Sequence, residues 1–102
     1  MSRKLELDPG AERDLAEAMD WHEAQRTGLG RELLLAIDAV MARIAGNPKL
    51  GARVLHVDDS REVRRALADR FPYCVFYYEV GASVRVLGVG HVRRRPGFWS
   101  SR

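Results

Sequence analysis

The side chains best placed for chemistry sit in two short stretches, residues 61–78 and 91–99. His91 stands two positions before Arg93-Arg94-Arg95. An imidazole titrates near neutral pH, so His91 can take or give a proton in RNA cleavage. Arg64, Arg70 and Arg93 can then stabilise a developing phosphorane charge, with Tyr77 or Tyr78 as a hydroxyl donor. The same arginines can do simpler work, gripping nucleic-acid phosphates or an acidic patch on a protein. Pro96, Phe98 and Trp99 follow them at once, and basic–aromatic clusters serve as binding anchors. Blander roles stand beside these. His91 can bond locally and shape the turn into the tail. The arginine run can be a solvated face. "FPYCVFY" (71–77) reads as a buried strand, and Trp99 can fold back to close the core.

Charge sharpens the choice. Residues 61–102 hold nine arginines against Glu62, Asp69 and Glu79, a balance of +6. Residues 1–60 hold eight basic and eleven acidic side chains, a balance of −3. A cationic C-terminal third suits an anionic partner, whether nucleic acid or an acidic protein segment. At 102 residues, 46% hydrophobic and 30% charged, the chain predicts one globular domain over 1–102, with 93–102 as a basic and aromatic tail. It has no long apolar run and no leader pattern, so the cytoplasm is the expected compartment. The lone Cys74 agrees with a reducing environment, and its neighbours mark it as an inert buried thiol. His22, His56 and His91 lack ligand spacing, and no glycine-rich phosphate loop occurs, so neither metal nor cofactor is expected.

The elements that must position these residues follow from periodicity. Leu5 and Leu7 alternate with charges, which predicts a short strand at 3–7. Asp8 suits a helix N-cap and Pro9 the first helical position. Ala11, Leu15, Ala18 and His22 give a helix over 9–26, with Glu12, Asp14, Glu17, Asp20 and Glu23 as its solvent face. "TGLG" (27–30) breaks it. Leu33, Ile37, Val40 and Ile44 stripe a second helix over 30–45, stopped by Gly46 and Pro48. Residues 47–60 read as a loop with Asp58-Asp59-Ser60 as its turn signal. Strands follow at 62–68, 73–80 and 83–92, the last two joined at Gly81-Ala82. This predicts an α+β fold: an N-terminal strand, then an antiparallel helix hairpin packed on one face of an antiparallel sheet, in the order β-α-α-β-β-β. Strict alternation along 83–93 sets Arg85, Leu87, Val89, His91 and Arg93 on one face. It sets Val84, Val86, Gly88 and Gly90 on the other, toward the helices.

Four segments in this order, "AERDLAEAMDWHEAQRTGLGRELL", "RIAGNPKLG", "VRRALADRFPYCVFY" and "VRVLGVGHVRRRPGFW", resemble the RelE/ParE superfamily of bacterial type II toxin–antitoxin toxins. The ParE branch is the nearer one. The departures, His22, Thr27 and Leu33, lie in the helix hairpin, where the family often has Tyr, Pro and Phe. The resemblance implies a small growth-inhibiting, plasmid-stabilising toxin neutralised by an acidic ParD-like antitoxin. In the ParE branch it implies a non-enzymatic inhibitor of DNA gyrase, for which the tail residues Arg93, Arg94, Arg95, Phe98 and Trp99 are the expected target contacts. In the RelE branch it implies a ribosome-dependent, metal-independent mRNA endoribonuclease, for which Arg64, Arg70, Tyr77 and His91 are the candidates. An inactive toxin that keeps only antitoxin binding is a third outcome. Trp21, Leu34, Met41, Arg65 and Arg85 are the positions expected to face the antitoxin.

Overall fold

The computed structural model describes residues 2–102. Strand β1 (Lys4–Leu7) leads into helix α1 (Pro9–Gln25), a short turn and helix α2 (Leu29–Gly46). A two-residue strand β2 (Ala52–Arg53) follows, then β3 (Arg64–Leu67), β4 (Tyr73–Val80), β5 (Ser83–His91) and a 3₁₀ turn at Phe98–Ser101. The expected α+β order holds, with β2 as an addition inside the segment read as loop. The sheet order is β1-β5-β4-β3-β2. Pairing is antiparallel except at one edge, where β1 runs parallel to β5 with Leu5 opposite Val84. The two helices between β1 and the later strands make that parallel entry possible, since such pairing needs a long crossover.

The helix layer packs as its stripes dictate. Leu33, Ile37, Val40 and Ile44 are fully buried, together with Ala11 of α1 and Val75, Tyr77 and Val86 of the sheet. Two polar details differ from expectation. Asp8 holds the N-cap backbone geometry of α1, but its carboxylate pairs with Arg85 instead of capping. Glu23, read as solvent-facing, accepts the Gly28 and Gly30 N–H groups at 2.9 and 3.0 Å and so caps the start of α2. A carboxylate there also complements the helix dipole.

The opposite sheet face is not left free. Val63, Cys74, Phe76, Leu87 and Trp99 form a second, smaller core on it, with Val54, Tyr78 and Phe98 at its margin. Its cover comes from the 54–63 loop and the C-terminal tail.

A bulge decides which residues meet that cover. Phe76 lies opposite Gly88, but Tyr77 lies opposite Val86, so Leu87 is an extra residue in β5. Val84 and Val86 face the helices as expected. Beyond the bulge the alternation inverts. Val89 joins the helix-side core, while Gly88 and Gly90 turn toward Phe98. His91 lies edge-on to Tyr73 on the helix side of the sheet, away from the face that carries Arg85. Strict period-2 reading cannot anticipate an inserted residue.

Tyr77 fixes the loop after α2. Its side chain is fully buried, its hydroxyl donates to the Pro48 carbonyl at 2.8 Å, and it accepts from the Gly51 N–H at 2.8 Å. Burial raises the phenol's pKa above its ordinary value. The neutral phenol is therefore favoured by folding, a contribution present below about pH 10 and lost as pH rises further. Tyr77→Phe should strip two buried backbone groups of their partner and cost about 1–3 kcal/mol in urea unfolding. An unchanged midpoint would show that the loop is held by other contacts.

Candidate functional site

The tail is the most heavily built part of the cationic face. After β5 the chain turns sharply, with the Arg94 N–H bonded to the His91 carbonyl at 2.9 Å. His91 Nδ1 accepts the Arg93 N–H at 3.1 Å, which leaves the ring proton of the neutral form on Nε2. Phe98 then lies on Gly88 and Gly90. A Cβ at Gly88 would stand 2.7 Å from the phenyl ring and would force the ring to move, and one at Gly90, at 3.2 Å, would crowd it. Phe98 meets Phe76 edge-on at a centroid separation of 5.4 Å, and Trp99 lies tilted against it at 5.1 Å.

Two carboxylates tie the tail down. Asp59, in the 54–63 loop, accepts the Trp99 indole N–H at 2.9 Å and two Arg61 donors at 2.8 and 2.7 Å. The Arg61 bonds, with the Trp99 bond adding to them, hold the Asp59 carboxyl well below the usual carboxylate range. Asp14, on α1, accepts from Arg102 at 2.6 and 2.7 Å and from the Val89 N–H at 3.0 Å, and lies 3.7 Å from Arg94. Neither acid stood out in the sequence. In sequence Asp59 is part of a turn signal and Asp14 lies on the solvent face of α1. One signal was available for Asp14: three residues after Ala11 and four before Ala18, it borders the buried stripe of α1.

The expected target contacts divide accordingly. Trp99 is only 6% exposed, so it closes the second core and is not a free anchor. Phe98 is half-buried beneath Arg94, whose guanidinium stands 3.8 Å from the ring centroid. Arg93, Arg94 and Arg95 are exposed. Of these, Arg93 and Arg95 hold no ion pair among the described residues, while Arg94 is drawn toward Asp14.

The four residues considered for RNA cleavage do not assemble. Arg64 turns inward, donating to the Gly51 carbonyl at 2.7 Å and to Glu62 at 3.2 Å, and its Nε is buried without a partner. Tyr77 is sealed beneath the same loop. Arg70 sits in the turn between β3 and β4 with φ at 71° and pairs with Glu32 at 3.0 Å. His91 pairs with Tyr73 in register, four residues from Tyr77 along β4, a separation of about 13 Å. Two of the four are thus loop supports, and the other two are at the far end of the sheet.

The residues expected to face an antitoxin lie on both layers. Trp21 is 61% exposed on α1, while Leu34 and Met41 are half-buried on α2 against the main core. Arg65 and Arg85 stand opposite Phe76 and Tyr78, on the tail side of the sheet. Arg85 is already paired with Asp8 and Glu6. Beside Arg65 a groove of about 370 Å³ opens between Ala52, Leu67, Cys74 and Val92. Burial raises the pKa of the Cys74 thiol, in keeping with an unreactive core residue. Among the described residues no cluster of His, Cys, Asp and Glu has the arrangement of a metal site, and no helix is long and apolar enough to cross a membrane.

A strand, a helix pair and a mostly antiparallel sheet whose second face is strapped by a cationic tail make up a small α+β domain. Residues 5–96 match the model of the family described as ParE toxin of type II toxin–antitoxin system, parDE, and the chain belongs to that family. A solved structure titled "Chromosomal ParDE TA system from P. aeruginosa" shares the fold, with a TM-score of 0.64 and 16% identity over 88% of this chain and 96% of that one. No curated protein matches the chain at a significant level.

The Asp59 geometry carries a pH dependence. A depressed carboxyl contributes stability that is present above its unfolded value near pH 3.9 and lost as pH falls below it. In a Trp21→Phe background, Trp99 emission should stay blue-shifted at neutral pH and at about pH 4, and move to the red only in stronger acid, as pH falls toward the depressed folded value of Asp59. Asp59→Asn should shrink that step. Emission indifferent to acid would remove Asp59 as a tail anchor.

Proposed function

We propose that this ParE-family toxin acts in the cytoplasm by binding DNA gyrase through its tail loop, without catalysing a reaction itself, and that a ParD-like acidic antitoxin neutralises it. The observation that carries this reading is the held arginine loop. Residues 92–97 project from a turn fixed at His91 and are anchored behind by Phe98 and Trp99, so Arg93 and Arg95 are offered to an anionic partner with their backbone already ordered. Pre-ordering lowers the entropy cost of binding. The separation of Arg64, Tyr77, Arg70 and His91 gives the endoribonuclease alternative no comparable support.

For the antitoxin, the five expected positions on two layers suit a segment that wraps around an edge of the sheet and does not dock on a single patch. A chain of sequence pI near 9.5 favours an acidic segment that orders on binding.

The test is gyrase-catalysed supercoiling of relaxed plasmid with purified chain. Dose-dependent inhibition is expected. Deleting 93–102 is a poor probe, because it removes Phe98 and Trp99 from a core. Arg93→Ala/Arg95→Ala leaves those rings in place and should weaken inhibition about tenfold or more, as the loss of two charged contacts implies, with the urea midpoint unchanged. Equal inhibition by the double variant would exclude the loop as the contact. No inhibition by the folded wild-type chain would exclude gyrase.

A further inference from the structure

We propose that Asp14 is the positioning residue of the arginine loop, a carboxylate on α1 that holds the tail in the shape its partner reads. The inference rests on the gyrase reading for its functional arm only; the clamp itself stands on geometry. β1 pairs with β5 only as far as Val86, so the outer edge of β5 beyond that point has no neighbouring strand. Asp14 fills the gap by accepting the Val89 N–H at 3.0 Å. Its two oxygens then gather Arg102, at 2.6 and 2.7 Å, and Arg94, at 3.7 Å.

Those two guanidiniums flank one ring. Arg94 stands 3.8 Å and Arg102 5.2 Å from the Phe98 centroid. Two cations held against one phenyl repel each other, and the nearby carboxylate offsets that repulsion. The Asp14 side chain is only 9% exposed, so its bonds are charge-assisted and poorly screened. The result is a division of labour within the run. Arg94, though still exposed, lies over Phe98 toward Asp14, while Arg93 and Arg95 hold no ion pair among the described residues. An acid on the helix layer therefore sets the presentation of a basic surface formed by another part of the chain.

Asp14→Asn is the cleanest probe. It keeps an oxygen for the Val89 N–H and removes the charge that holds the arginines. Amide hydrogen exchange over 92–102 should quicken by about tenfold or more, the factor expected for losing a charge-assisted hydrogen bond, while exchange in β4 and the first half of β5 stays within about twofold. Gyrase inhibition should weaken by about the same tenfold. If Asp14 works through Arg102, Asp14→Asn/Arg102→Ala should lose no more than either single variant. Unchanged tail exchange in Asp14→Asn would overturn the clamp. Quickened tail exchange with undiminished inhibition would overturn the positioning role. Additive losses in the double variant would overturn the coupling to Arg102. A wild-type chain that does not inhibit gyrase would sink the gyrase reading alone, and the exchange comparison would still decide the clamp.

Discussion

One additional residue in β5 governs most of what is particular to this molecule. Because Leu87 has no partner between Phe76 and Tyr77, Leu87 and Gly88 both turn to the tail side of the sheet. Leu87 supplies the apolar floor of the second core. Gly88 supplies the shallow depression into which Phe98 settles. Without the bulge, Gly88 would face the helices, and the aromatic ring would have no seat. Bulges bend a strand and re-aim its side chains. Here the re-aiming gives the sheet a second core and, through it, a folded tail.

That second core changes the meaning of the charge map. A +6 segment on a short chain invites the picture of a loose basic arm. Instead, Arg61 and Arg102 are spent on Asp59 and Asp14, Arg64 on the 47–53 loop and Glu62, and Arg85 on Asp8 and Glu6. Exposed ion pairs contribute little to stability. The pairs at Asp14 and Asp59 differ, because both carboxylates are nearly buried; Asp14 ties α1 to the tail through Arg102, and Asp59, paired with Arg61 in its own loop, ties that loop to the tail through Trp99. Among the nine arginines of residues 61–102, Arg65, Arg93 and Arg95 hold no ion pair among the described residues, and Arg93 and Arg95 are both exposed next to the buried Trp99.

The helix hairpin was legible because its signals are local. The stripe of α2 and the stops at Gly46 and Pro48 translate directly into buried positions. The strands at 73–80 and 83–91 were legible for the same reason. What escaped was non-local. β2 is two residues long and exists only because β3 lies beside it. The parallel pairing of β1 leaves no mark on its own alternation. The bulge is one residue in a run of valines and glycines that reads equally well without it. The roles of Asp14 and Asp59 depend on partners 40 to 88 residues away, so their identities as acids say nothing about where their oxygens point. From sequence, Tyr77 reads as a possible catalyst or a strand residue. Its actual work, pinning a loop by its hydroxyl, belongs to tertiary contact.

The parallel contact between residues 4–7 and 83–86 has a consequence for synthesis. β5 is flanked by β1 on one side and β4 on the other, so the sheet acquires its penultimate strand only when the last fifth of the chain is available. Closing so long a loop is slow, and pairing of this kind retards folding. Domains usually fold as units while the ribosome adds residues. This one makes last the strand that joins β1 to the rest of the sheet. The helix hairpin can form early, but the arginine loop has no scaffold before β5 docks. A growing chain therefore carries none of the finished cationic surface until β5 and residues 92–102 have been made.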